Sequence, residues 1–485
     1  MKGSTESVRL ALETLTPLHV GSGVELQREM DFVERSGTAF VVDQNRTFEA
    51  VAAGEADTDT LLRASRLSDL VQLAGAYHGY ALSPLAGSGA VPSAVRGCMK
   101  DAFFNPYVPG SSLKGAIRTA LLAQWLRSQP AEAYREWLPV LVPDRHDPTR
   151  KKPSAPAKFA AHVLTKQVFG ANPNRDLLRV LHVGDAGFEP GALRLVDIRW
   201  LNLSRQGGQL AARWRDMGSR DNVQDWRTAN GIYVEALAVG SVAPVILQWD
   251  RFLLSDLARW QAPAQTLALL PLDFPELCRV LNDHAHHLLE REIEFFTTYQ
   301  VNAPLQQCRQ LLAWVEAAQS LDHPEVAYVR LAWGSGWRGM TGDGLAESEV
   351  AVMREAYRLG RPGLPFPKTR RLAVQGSPCL PLGWVRLMPW DAARVPVAPT
   401  RSPENSAGMA WVESQLAQIQ QAHRCPADEA LRGQALGQAW QALTDPMLKA
   451  AALAAIRARW QTKGWWDQPS GKAMKKARAI YQEEP

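Results

Sequence analysis

Residues 107–122 read Y-V-P-G-S-S-L-K-G-A-I-R-T-A-L-L, a strand end, a tight turn and a helix in sixteen positions. Val108 closes an extended segment, Pro109-Gly110 turns the chain, and Ser111 or Ser112 is placed to cap the helix that follows. The apolar side of that helix carries Leu113, Ile117, Ala120 and Leu121. A helix N-terminus presents unpaired backbone N–H groups and a partial positive charge, which favours an anion. Lys114 and Arg118 stand four apart and reach out from one side. Gly115 keeps the first turn slim enough for another backbone to approach. These residues describe a phosphate-binding element. An ordinary capped surface helix uses the same residues, so the stretch alone leaves both readings open.

A nucleotide-triphosphatase loop needs G-x-x-x-x-G-K-[ST], with lysine and a hydroxyl directly after the second glycine. Here Lys114 precedes Gly115 and Ala116 follows it. The hydroxyl that would hold magnesium is missing from its place, which argues against ATP hydrolysis at this loop.

A chain of 485 residues exceeds one ordinary core and implies two to four domains. With 46% hydrophobic and 21% charged residues it has a globular composition. A formal net charge of +5 permits a polyanionic partner without demanding one, because a local basic groove matters more than the sum. Cys98, Cys278, Cys308, Cys379 and Cys425 are scattered singly, so neither a disulfide framework nor a zinc knuckle is supported. Residues 1–10 lack the apolar core of a signal peptide, and no apolar run approaches the ~18–20 residues of a membrane span. The expectation is a reducing cytoplasm, with no membrane partner, no metal and no cofactor. Of the 17 tryptophans, Trp200, Trp214, Trp226, Trp333, Trp337 and Trp384 sit near Arg or Gly. Most read as core or interface anchors, with a minority free to stack on bases.

Residues 8–15 alternate as a strand, 32–42 read as a hairpin around Ser36-Gly37, and 48–53 and 59–73 look helical. Residues 178–188 and 193–203 read as strands. In the second, Leu193, Leu195, Asp197, Arg199 and Leu201 share one face and Arg194, Val196, Ile198 and Trp200 the other. Residues 207–225 are polar and expected to be mobile, and 232–237 with 245–249 read as a strand pair around Gly240-Ser241. Residues 274–321 are helical. His284, His286 and His287 lie there with Glu290, Glu292 and Glu294, where a solvated amphipathic face is favoured over a metal site. Strand-like runs return at 326–333 and 382–388. The organisation expected is an N-terminal unit over 1–260 with a basic insertion near 130–160, a second region over 261–400, and a helical extension over 401–485.

Three glycine-bearing loops follow strand-like runs: residues 19–23 (H-V-G-S-G), 109–115, and 334–338 (G-S-G-W-R). Glycines there allow positive φ and close backbone approach, although ordinary tight turns use them too. With Lys114, Arg118, Arg338, Lys368, Arg370 and Arg371 they suggest a surface that tracks a phosphate backbone without reading bases.

At this point the chain resembles a known family. L-T-P-L-H-V-G-S-G, Y-V-P-G-S-S-L-K-G-A-I-R-T-A-L-L, L-A-W-G-S-G-W-R-G-M-T, F-P-K-T-R-R-L and P-L-G-W-V-R-L look like RAMP-superfamily proteins of CRISPR effector complexes, most like the fifth Csm subunit of type III-A complexes. The resemblance covers residues 8–387. It implies an α+β chain of ferredoxin-like (RRM-like) domains, with insertions and a helical C-terminal extension. It also implies a ribonucleoprotein subunit without chemistry of its own, capping the backbone at the 3′ end of the guide RNA (crRNA) and supporting guide maturation in antiviral defence. The implied partners are guide RNA and neighbouring Csm-complex subunits, with target RNA left open. On this resemblance RNA contact falls to His19, Gly21 and Gly23, to Ser111, Ser112, Lys114, Gly115 and Arg118, and to Gly334, Gly336, Trp337, Lys368 and Arg370. The 130–160 insertion and the extension depart from the pattern.

The rival is a metal-independent RAMP endoribonuclease that processes the guide precursor. Such cleavage needs a base, a cation and an acid around the ribose 2′-OH. His19 beside Lys114 is one proposal, and His182 or Asp185 another. A histidine hydrogen-bonded at a strand end explains His19 more simply, and the apolar run around His182 suggests packing. Asp31, Asp101 and Asp185 lie near loops without a spacing that marks one as catalytic.

Overall fold

The computed structural model describes residues 5–54, 64–75, 77–85, 91–129, 162–170, 172–219, 221–256, 268–361, 363–390, 403–462, 465–466 and 472–481. The expected 130–160 insertion and the 59–63 part of the second expected helix lie outside them.

The chain is α+β. One five-stranded sheet runs, edge to edge, Ala327–Arg330, Trp384–Pro389, Thr5–Thr14, Val242–Asp250, Leu181–Val183, with every neighbour antiparallel. Thr5–Thr14 and Leu181–Val183 therefore run the same way, and the helix Gly110–Arg127 lies between them in the chain. Val242–Asp250 and Trp384–Pro389 run the opposite way, with the helix Phe274–Thr298 between them. Leu113, Ile117 and Leu121 of the first helix and Leu277 and Leu281 of the second join Leu10, Leu12, Val245 and Leu247 of the strands in one buried core. Each strand supplies every second residue to that core, as the two-residue period requires.

The second sheet is built on the long strand Leu193–Gln206, which pairs with Gln209–Arg215, Ile232–Leu237 and Thr369–Gln375. Ile232–Leu237 pairs in turn with Ala94–Cys98, and that strand with Gly21–Gln27. Strands from both sides of residue 260 share both sheets.

Four local expectations are corrected. Residues 207–225 are not an open polar loop: Gln209–Arg215 folds back onto residues 200–206 through Gly207 and Gly208. Both glycines have positive φ, 54° and 86°, as a tight hairpin turn demands. Ile232–Leu237 and Val242–Asp250 do not pair with each other but enter different sheets. The register explains why: Ala243, Val245, Leu247 and Trp249 bury against the first core, while Val234 and Ala236 join a separate cluster with Val196 and Ile198. Residues 178–188 are not one strand. The Asp176 side chain accepts from Leu178 N at 2.9 Å and draws Leu177–Val180 into a 3₁₀ turn before the short strand begins. Residues 274–321 are two helices, Phe274–Thr298 and Asn302–Gln319, broken where Gln300 takes φ 55°.

The described residues from 403 onward are mostly helical. The helices Pro403–His423 and Pro446–Thr462 pack with Trp411, Trp440, Trp460 and Trp466 in a core of their own. All five cysteines are free, and among the described residues no helix is long and apolar enough to cross a membrane.

Candidate nucleic-acid interface

The helix at 110–127 is capped two or three residues earlier than the sequence suggests. Pro109 is the N-cap, and neither serine makes a side-chain cap. The reason is spatial: a Cβ on Gly110 would lie 2.1 Å from the Val183 carbonyl oxygen, so this glycine lets the helix start against the strand 181–183. The N–H of Gly110 donates to Asp185 Oδ1 at 2.7 Å. An anion does sit at this helix N-terminus, and the chain supplies it. That is what Asp185 does here, and His182, expected to be packed, is exposed.

Gly115 is the opposite case. It is exposed, and a Cβ there would meet nothing within 4 Å. Gly110→Ala is expected to cost about 1–3 kcal/mol through overpacking against backbone. Gly115→Ala, at an open helical position, is expected to add roughly 0.5–1 kcal/mol of stability. Thermal unfolding of the two variants checks this; equal effects would undo the distinction.

Lys114 and Arg118 line a cleft of about 660 Å³ with Lys166, Asn172 and Arg179. Arg118 is committed: it pairs with Asp176 at 2.7 Å and lies over the Phe169 ring at 4.7 Å. Lys114 has no ion-pair partner among the described residues, and half-burial lowers its ammonium pKa, an effect Asp176 opposes. Ser111 is exposed and Ser112 half-buried beside them.

The first and last glycine loops meet. Trp333 N–H donates to the His19 carbonyl at 3.2 Å, and the two rings stand edge to face at 5.6 Å. Gly334 has φ 102°, and a Cβ there would come within 2.8 Å of Leu382, so only glycine fits. Gly336 has φ 80° and open space around it, as does Gly23 at φ 85°. A Cβ on Gly21 would lie 3.1 Å from His19 Nε2. His19 itself is 2% exposed, with Nδ1 2.6 Å from the Glu235 carbonyl, and burial lowers its pKa.

Around the last loop lies a second cleft, about 820 Å³, lined by Gly334, Gly336, Trp337, Arg338, Arg370 and Arg371 among others. Its cations differ in availability. Arg370 pairs with buried Glu292 at 2.7 Å, donates to the Pro367 and Thr369 carbonyls, and lies 3.9 Å over Phe295. Trp337 packs edge-on to Phe366 at 5.1 Å. Arg371 makes no ion pair among the described residues and lies over two rings, Trp333 at 4.3 Å and Trp200 at 4.9 Å. Lys368, partly exposed, has its pKa lowered by burial and by Arg361 and Arg215.

The loop is anchored from below by Asp343, whose side chain is fully buried. It takes Arg291 at 2.5 Å, His284 Nδ1 at 2.9 Å and Arg127 at 3.0 Å. His284 is thus an anchor, and no group of three His, Cys, Asp or Glu able to hold a metal occurs among the described residues. The thirteen residues expected to touch RNA fall into two patches, one around 19–23, 334–337 and 368–370, the other around 111–118, and the two clefts share no lining residue. Sequence reading missed Arg96, Arg215 and the roles of Trp200 and Trp333. The run of Trp beside Arg was the available signal, but cross-strand register decides which of them meet.

Comparisons with known proteins bear on the family and the fold. A family model described as the RAMP superfamily matches residues 11–197. Over 143 residues the chain is 31% identical to the CRISPR system Cms protein Csm5 of Streptococcus thermophilus, an alignment spanning 25% of this chain and 40% of that protein. The fold is similar to one chain of a cryo-EM structure of a Csm–crRNA–target RNA ternary complex of a type III-A CRISPR-Cas system, with TM-score 0.54, 24% identity, and 79% and 100% of the two chains covered. It is similar also to the crystal structure of T. onnurineus Csm5, with TM-score 0.51, 21% identity, and 77% and 99% covered.

Proposed function

We propose that this chain, whose residues 11–197 match the RAMP superfamily model, is an RNA-binding, structural subunit of a type III-A Csm effector complex, seated at the 3′ end of the guide RNA. The strand order Trp384–Pro389, Thr5–Thr14, Val242–Asp250, Leu181–Val183, with helices joining first to second and third to fourth in chain order, supports reading the first sheet as a ferredoxin-like unit. The observation that carries the RNA reading is the union of the first and last glycine loops through the Trp333–His19 backbone bond, beside Arg371 and Lys368, which make no ion pair among the described residues. Backbone N–H groups and cations on slim loops suit phosphates, which fix position without reading sequence. The 3′-end seat rests on the resemblance of the glycine motifs and on the likeness to Csm5 chains. Neighbouring Csm subunits are the implied protein partners.

Burial supports a non-catalytic role for His19: its ring is closed off from solvent, with Nδ1 held by the Glu235 carbonyl.

The test is filter binding of labelled single-stranded guide RNA to the purified chain at 50 and 200 mM salt. Lys114→Ala with Arg118→Ala is expected to weaken binding and make the log–log salt slope shallower by roughly 0.7 for each phosphate no longer neutralised. The RNA recovered from the same samples is expected to be intact. An unchanged slope would remove the phosphate role of this helix. Metal-independent cutting abolished by His19→Ala would replace the scaffold with a nuclease.

A further inference from the structure

Five side chains alternate across the second sheet and the last glycine loop: Arg96, Trp333, Arg371, Trp200, Arg215. Each guanidinium lies over the next ring, at 5.6, 4.3, 4.9 and 5.7 Å in turn. Register builds half of the row, since Trp200 stands opposite Arg371 on one neighbouring strand and opposite Arg215 on another. The 333–336 loop adds Trp333, and the strand Ala94–Cys98 adds Arg96. Among the described residues no carboxylate pairs with any of the three arginines. Arg96 is exposed, and the other four are half-buried.

A row of three unneutralised cations is costly unless something outside the chain meets it. Arg371 shows the cost: burial and the nearby Arg96 charge both press its pKa down. Stacking on an indole holds a guanidinium plane still while leaving its N–H edge free, and that edge matches a phosphate bidentately. The same stacking occupies ring face that a base would otherwise use.

We propose that this Arg–Trp ladder is a second RNA-backbone site, in which Arg96, Arg371 and Arg215 grip successive phosphates of single-stranded RNA and Trp333 and Trp200 are positioning residues rather than base platforms. The inference rests on the RNA-binding reading above and extends it from the glycine loops to the sheet face. Single-stranded RNA is favoured over an acidic protein because the ladder is continuous with the cleft of the 334–338 loop, which Trp333 and Arg371 also line.

The experiment uses the full chain and a single-stranded homopolymer RNA, with binding read at 50 and 200 mM salt. Arg371→Ala is expected to weaken binding about tenfold, the equivalent of one charge-assisted hydrogen bond, and to make the slope shallower by roughly 0.7. Arg96→Ala, at an exposed position that cannot threaten folding, is expected to shift the slope by the same amount. Trp333→Leu should weaken binding only where Arg371 is present, so that Trp333→Leu with Arg371→Ala binds no worse than Arg371→Ala alone. Fully additive losses would make the ring a base platform and overturn the positioning role. Unchanged slopes in Arg371→Ala and Arg96→Ala, alongside a shallower slope in Lys114→Ala with Arg118→Ala, would overturn the ladder and leave the RNA reading standing. Poly-glutamate binding that responds to Arg96→Ala while RNA binding does not would assign the row to an acidic protein instead. A chain that binds no RNA at either salt would overturn both.

Discussion

Asp343→Asn is expected to lower the free energy of unfolding by about 3–5 kcal/mol, among the largest effects of any single substitution outside the central core. The carboxylate is out of water and faces Arg127, Arg291 and His284 at 2.5–3.0 Å. An amide of the same shape keeps the packing but removes the counter-charge that Arg291 and His284 share, while Arg127 retains Asp283 at 2.7 Å. The loss should be visible in denaturant midpoint at unchanged slope. A change below about 1 kcal/mol would show that Asp343 does not hold the loop. The functional consequence lies in what the residue joins: Arg127 ends the Lys114 helix, Arg291 and His284 stand on Phe274–Thr298, and Asp343 closes the π-helical turn Arg338–Gly342 after the Gly-Trp loop.

The same carboxyl gives the protein an acid limit. Burial alone would raise its pKa, but the hydrogen bond from His284 and the charges of His284, Arg291 and Arg127 outweigh burial and hold it at about 2. Folding therefore lowers this group below its unfolded value of 3.8. Its contribution is complete above about pH 4 and drains away as the pH falls towards 2, by about 2 kcal/mol in all. This is smaller than the cost of Asp343→Asn because protonation is measured against the same acid in the unfolded chain. Unfolding curves between pH 5 and 2 should be flatter in Asp343→Asn than in the unaltered chain; parallel curves would refute the assignment.

Much of the α+β pattern was legible because period and turn chemistry are local. The alternation of 193–203, the hairpin at Ser36-Gly37 and the apolar stripe Leu113, Ile117, Ala120, Leu121 are all dictated by near neighbours, and each is found in the fold. What sequence could not reveal is which strands meet. Residues 232–237 and 245–249 look like a strand pair by spacing, and part company because each finds a longer-range partner with a better-matched apolar face. The glycines show the same limit. Gly110 and Gly115 are indistinguishable by type, yet one is pressed against the Val183 carbonyl and the other opens on space. Likewise Arg370 and Arg371 are adjacent, but strand alternation sends the first to Glu292 and the second between two tryptophans.

Glu235 shows how far the first glycine loop depends on distant chain, and Glu235→Ala is expected to cost about 3–5 kcal/mol. This carboxylate is fully buried on the strand Ile232–Leu237. It accepts from Tyr80 OH at 2.5 Å and from Cys98 N at 2.7 Å, and it pairs with Lys100 Nζ. Removing it orphans a hydroxyl, a backbone N–H and an ammonium together, each of which has given up its water. Burial, then the neighbouring Glu235 charge, push the Tyr80 phenol far above its ordinary value, so its hydroxyl keeps the proton it donates, and push the Cys98 thiol up to about 11. Glu235→Gln keeps one oxygen, which at the Oε2 position still accepts from Cys98 N and faces Lys100 while the amide turns towards the Tyr80 hydroxyl, itself able to accept, so a loss roughly half as large is expected. The backbone carbonyl of the same residue holds His19 Nδ1. Hydrogen exchange at Val20 and Gly21 should therefore rise in Glu235→Ala as the strand loosens, while exchange at Lys114 and Gly115, in the other patch, stays as it was. Equal rises in both patches would mean that the two surfaces are one cooperative unit rather than two separately supported ones.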